Sequence, residues 1–149
     1  MRRAVLVAGV GALLVACGQK TPPVAPELVR PRAPSALTAT ATAEGIRLVW
    51  HRPETYTGGK RMRDLARFLI ERASGEGAPG FVRVGELELD DRLRFRQERR
   101  LEWIDHDATP GQSYLYRVTS VTLDGDRSKP AGPVAIRFEP KPEPKKETP

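Results

Sequence analysis

The chain reads as a single small all-β sandwich of about seven strands, carried between an export leader and a polar tail. Three observations predict this. Between Ala36 and Phe138 apolar residues recur at alternate positions in short runs, the period of half-buried strands. Pro (14) and Gly (13) are frequent, which favours short strands and many turns over long helices. The length of 149 residues suits one domain plus appendages rather than two full domains.

The amino terminus carries the export signals. Met1-Arg2-Arg3 is a short positive region, and Ala4 to Ala16 is an uncharged apolar run. That run has the length of a signal-peptide core and is too short to span a bilayer comfortably as a permanent helix. Leu14-Val15-Ala16-Cys17 follows at once and resembles the lipobox of bacterial lipoproteins. The resemblance implies that residues 1–16 are cleaved as a signal peptide. It also implies that the Cys17 thiol receives diacylglycerol and that the freed amine receives a further acyl chain. Two or more chains give a stable membrane anchor where one holds only weakly, at about 0.8 kcal/mol per buried CH₂. The alternative is an ordinary secretory leader with an incidental cysteine. Gly18, rather than the Asp that resembles an inner-membrane retention signal, points to the outer membrane facing the periplasm. Cys17 is the lone cysteine, so no internal disulfide is available and the fold must stand on its core.

Residues 17–33 form a lipidated, Pro-rich tether. Pro22, Pro23, Pro26 and Pro31 block helix and inner strand, so a disordered or extended polyproline spacer is expected. Cys17-Gly18-Gln19-Lys20-Thr21-Pro22-Pro23 also resembles the start of small lipoproteins that assist the lipopolysaccharide translocon, with Thr21 where those carry glycine. A generic lipoprotein stalk is the preferred reading of the two. At the other terminus, residues 139–149 alternate Pro with charge and should be disordered. Three lysines there offset three glutamates, so the tail is no polybasic hook.

Leu37 lies in the first short run. Ile46, Leu48 and Trp50 alternate with Arg47, Val49 and His51, and Pro53 closes the strand. Phe68 and Ile70 mark a third run, and Phe81 to Leu89 a fourth after a Gly-rich turn. Leu101 and Trp103 mark the fifth. Tyr114, Tyr116, Val118 and Ser120 share one face of a long sixth strand, and Asp124-Gly125 signals a tight turn. Val134, Ile136 and Phe138 share a face of the last. Seven strands in about one hundred residues is the rhythm of an Ig-like sandwich.

Residues 34–138 resemble a fibronectin type III domain. The resemblance is carried by Pro34-Ser35-Ala36-Leu37, by Leu48-Val49-Trp50-His51-Arg52-Pro53, by Thr109-Pro110-Gly111-Gln112-Ser113-Tyr114-Leu115-Tyr116, and by Ser128-Lys129-Pro130. It implies that Trp50 fills the core and that Tyr114 is a tyrosine-corner residue whose hydroxyl bonds back to upstream backbone. Tyr116 is a further structural residue of that strand. Another Ig-like sandwich remains the alternative. Glu86 to Arg100 departs from the family pattern, being longer and more charged.

Charge supplies the one candidate surface. The formal net charge is +6, falling by two to +4 once Arg2 and Arg3 leave with the leader, and acidic residues are interspersed, so nucleic acid is not an expected partner. Two basic segments stand out. Tyr56 to Arg67 joins the second and third strands and carries Lys60, Arg61, Arg63 and Arg67, and Asp90 to Arg100 carries Arg92, Arg94, Arg96, Arg99 and Arg100. They read either as a docking surface for lipopolysaccharide phosphates or an acidic protein, or as a solvated edge that guards against strand pairing. The solvated edge is favoured, because charge runs are commonly just solvated.

Chemistry is sparse. Asp105-His106-Asp107 could suggest a metal, but adjacent strand residues point to opposite faces, so a surface histidine between solvated aspartates is expected and no metal site is assigned. His51 merely ends a strand. No G-x-S-x-G or P-loop motif occurs, and no catalytic triad is evident. No cofactor and no enzyme activity are therefore expected. The expected function is a non-catalytic, membrane-anchored module that binds a protein partner in the envelope. The alternatives are an accessory of lipopolysaccharide translocon assembly and, less favoured, a glycan-binding domain.

Overall fold

The computed structural model describes residues 23, 25–75, 80–90 and 98–140. The leader, Cys17, and Arg92, Arg94 and Arg96 lie outside the described residues. One turn of 3-10 helix, Pro26–Leu28, precedes seven strands: β1 Ser35–Ala41, β2 Ile46–His51, β3 Leu65–Ser74, β4 Val82–Glu88, β5 Arg100–Asp105, β6 Ser113–Thr122 and β7 Ala131–Arg137. They form two antiparallel sheets, ordered β1-β2-β5 and β4-β3-β6-β7. The seven-stranded all-β sandwich expected from periodicity is the fold observed.

The alternation sets the inward faces. Ile46, Leu48 and Trp50 in β2 are wholly buried, as are Phe68 and Ile70 in β3 and Tyr116 and Val118 in β6. Trp50 meets Phe68 edge-on across the two layers at 5.5 Å between ring centroids. Burying such side chains supplies the main driving force, at about 25 cal/mol per Å² of apolar surface. Registers run Leu48 to Trp103 and Trp50 to Leu101 between β2 and β5, and Ile70 to Val118 between β3 and β6. Trp103 reaches across to β4, where a Cβ at Gly85 would stand 2.2 Å from its ring. That position must stay glycine if the two sheets are to close there.

Two expectations need correcting. Arg67 is not a loop residue: β3 begins at Leu65, and Arg67 pairs with Glu86 at 3.0 Å on the outer face. Nor does the stretch before Pro34 run as a free extended spacer from Ala25 onward. Pro31 is fully buried and forms an isolated bridge with Tyr56. A buried proline adds apolar contact while having no N–H to satisfy, so a Pro-rich stretch can dock where its remaining backbone groups find partners.

Candidate docking surface

Strand direction gathers the candidate cations. Because β2 and β5 are antiparallel neighbours, His51 at the end of one faces Arg100 at the start of the other. Arg99 and Arg100, at the described end of the second basic segment, therefore lie at the same end of the sandwich as the loop that carries Lys60, Arg61 and Arg63. The Arg52 N–H donates to the Arg99 carbonyl at 2.9 Å, and Arg99 pairs with Glu54 at 2.6 Å. Lys60, Arg61, Arg63, Arg99 and Arg100 are all exposed there. The loop between β2 and β3 is held by its own bonds: Tyr56 N–H to the Lys60 carbonyl at 2.9 Å, Met62 N–H to the Glu54 carbonyl at 2.8 Å, and a Thr55–Arg61 bridge. Tyr56 Oη donates to Asp64 Oδ1 at 2.5 Å. Burial, then the bond to Asp64, pushes the Tyr56 phenol up to about 12.

The N-terminal segment docks on this same loop. Thr57 N–H donates to the Arg30 carbonyl at 2.9 Å, Gly58 N–H to the Leu28 carbonyl at 3.0 Å, and Arg32 N–H to the Thr55 carbonyl at 3.3 Å. The Thr57 hydroxyl also donates to the Glu27 carbonyl. A Cβ on Gly58 would stand 2.9 Å from the Leu28 carbonyl oxygen, so the close approach needs glycine. This contact was not legible in the sequence, because nothing local to residues 25–33 names residues 54–58 as their partner.

The opposite end holds a buried polar cluster that the sequence reading missed. Asp105, expected to be solvated, is only 2% exposed. Its Oδ2 accepts from Arg72 at 2.7 Å and from the Tyr116 hydroxyl at 2.7 Å, and its Oδ1 accepts from the Asp107 N–H at 3.1 Å. Asp105 belongs to one sheet, while Arg72 and Tyr116 belong to the other, so the carboxylate ties the layers together. Burial, then the bond to Asp105, raises the Tyr116 phenol strongly. Burial alone would lower Arg72, but the hydrogen bond and charge of Asp105 outweigh it and the guanidinium is held above its ordinary value. Arg72 also lies over the Tyr114 ring at 5.0 Å. A signal existed: Asp105 is in phase with Leu101 and Trp103, and Arg72 with Phe68 and Ile70.

Tyr114 is buried and its hydroxyl accepts from the Thr109 N–H at 2.9 Å, the upstream backbone bond of a tyrosine corner. His106 is exposed, with Nδ1 3.0 Å from the Glu44 carbonyl. Among the described residues no three His, Cys, Asp or Glu side chains are grouped to hold a metal ion. A groove of about 400 Å³ runs beside Ser113, Tyr114, Ile136 and Arg137.

The two-sheet arrangement defines a fibronectin type III-like domain, and solved structures agree. The chain is similar to the twitchin kinase region of C. elegans, with 18% identity, a TM-score of 0.54, and coverage of 75% of this chain and 17% of that one. It is similar to titin kinase with its flanking domains, with 20% identity, a TM-score of 0.50, and coverage of 74% and 17%. It is also similar to an Fn3-like protein from Clostridium thermocellum, with 14% identity, a TM-score of 0.50, and coverage of 74% and 95%. The chain thus spans under a fifth of the two kinase-region structures and nearly the whole length of the third. At these identities the likeness concerns the fold. The sequence matches no protein-family model and no curated protein.

Proposed function

We propose that the protein is a lipid-anchored envelope lipoprotein whose sandwich serves as a non-catalytic adapter for another envelope protein. The observation that carries this reading is the combination in one chain of the Leu14–Cys17 lipobox-like motif with a fibronectin type III-like body. Acyl chains on Cys17 would hold the body at the periplasmic face of the outer membrane. Recovery of partners with the lipidated protein tests the adapter role: one stoichiometric envelope protein supports it, and binding to purified glycan with no protein partner overturns it. Cys17→Ala tests the anchor, because the variant should lose its acyl mass and its partition into detergent. An acylated variant would overturn the anchor.

A second reading rests on the Cys17–Pro23 stretch, which resembles the start of lipoproteins serving lipopolysaccharide translocon assembly. Recovery of translocon components as the stoichiometric partner would favour it over a different adapter role.

A further inference from the structure

We infer that the loop end of the sandwich is a membrane-docking surface for anionic phospholipid headgroups, lying flat on the bilayer that holds the chain. The inference rests on the proposed anchor at Cys17 and deepens it.

Three independent features meet at that end. The first is connection. Residues 27–32 are bonded to residues 55–58, so the chain enters the fold at this loop and not at the far end. Eight residue steps separate Cys17 from Ala25, a reach of at most roughly 30 Å even when fully extended. The ten-residue β3 holds the far end about 33 Å further away. An acylated Cys17 therefore holds the loop end within roughly 30 Å of the membrane.

The second is charge. Arg30, Arg32, Lys60, Arg61 and Arg63 are all exposed on the docked segment and its loop. The carboxylates of these two segments are Glu27, Glu54 and Asp64, of which Glu54 pairs with Arg99 and Asp64 accepts from Tyr56. In the adjoining loops Asp90, Glu98, Asp124 and Asp126 stand against Arg127 and Lys129 and temper the excess. At the far end, residues 42–45 and 106–112 carry Glu44 and Asp107 and no Lys or Arg. The far-end strand tips add Arg83 and Arg137, paired with Glu86 and Glu139, so it is the connecting loops that are polarised, cationic towards the anchor.

The third is apolar exposure. Four large hydrophobic side chains are notably exposed among the described residues, and Leu28 (46%), Val29 (38%) and Leu123 (60%) belong to this end. Leu123 is tied to the loop by its N–H bond to the Asp64 carbonyl at 2.8 Å. Exposed aliphatic groups among exposed cations suit the headgroup boundary of an anionic bilayer better than open water. An acidic protein would explain the cations but not why they cluster at the chain's entry point.

Each cation near an anionic surface is worth about fivefold in partition, so losing Lys60, Arg61 and Arg63 should cut occupancy of the docked state about a hundredfold at low salt, and reversing them to Glu by at least that. The test uses the full acylated protein on phosphatidylcholine vesicles with and without phosphatidylglycerol. Amide hydrogen exchange of residues 27–32 and 56–63 should slow only when phosphatidylglycerol is present. Residues 42–45 and 106–112 should be unaffected. The slowing should fade as salt rises and vanish in K60E/R61E/R63E, whose melting should match that of the parent. Equal exchange on both vesicle types overturns the inference. So does protection that appears only when soluble envelope proteins are added. Failure of the anchor reading shows separately, as loss of acyl mass and of flotation with neutral vesicles. Unacylated protein would still reveal, by its exchange on phosphatidylglycerol, whether the surface binds headgroups.

Discussion

At one end of the sandwich Arg72 meets Asp105 at 2.7 Å, with the Asp105 side chain 2% exposed. At the other end Arg99 meets Glu54 at 2.6 Å, with the two side chains 62% and 44% exposed. The distances are nearly equal, yet the energetic settings differ. A buried carboxylate has lost its water and depends on Arg72, Tyr116 and the Asp107 N–H to replace it. An exposed pair keeps its hydration and is screened by salt, so its net contribution is small. The same chemistry is therefore structural at one end and left solvated at the other.

The largest effect is expected from Asp105→Ala. It leaves Arg72 and the Tyr116 hydroxyl without their shared acceptor, and the expected loss is about 3–5 kcal/mol by denaturant unfolding. Trp50→Ala, which empties the core without touching charge, should cost a similar 3–5 kcal/mol and calibrates the scale. A loss under about 1 kcal/mol for Asp105→Ala would show that the cluster does not lock the layers. Tyr114→Phe removes one hydroxyl and strands the Thr109 N–H, so about 1–3 kcal/mol is expected. A neutral result there would deny the tyrosine corner any weight.

Alkaline pH acts on the loop end through Tyr56. The Tyr56 phenol is raised in the folded state from 10.0 to about 12, so the unfolded chain releases its proton first. The stabilisation is whole below pH 10 and is lost as pH rises towards 12. Melting temperature should fall across that window, and less steeply in Tyr56→Phe. Parallel curves for the two proteins would contradict the Tyr56–Asp64 assignment. The smallest effect belongs to the exposed pair: Glu54→Gln should change stability by less than about 1 kcal/mol and vary with salt. A loss as large as that of Asp105→Ala would erase the distinction between the two ends.

The sequence carried much of this fold. The alternation of Ile46, Leu48 and Trp50, and of Tyr114, Tyr116 and Val118, marked the buried faces that the structure shows. The Pro110-Gly111 and Ser128-Lys129-Pro130 stretches marked turns, and the Ser128 hydroxyl indeed bonds the Ser120 N–H at 3.0 Å. Asp105 sits beside His106 and Asp107, which together look like a solvated run, although its strand phase points inward. The basic segments were legible as composition, but their convergence was not.

The difference follows from the range of the forces involved. Side-chain period, proline and glycine act within a few residues, so the chain alone determined where strands run, which faces turn inward and where turns fall. Partnership across the layers is a property of register and sheet order. Whether Asp105 finds Arg72, whether residues 27–32 settle on residues 55–58, and whether Arg99 comes beside Arg61's loop depend on residues 33, about 28 and about 38 positions away. Only the packed tertiary structure decided those, because burial turned one set of charges into a lock and left the other exposed to solvent.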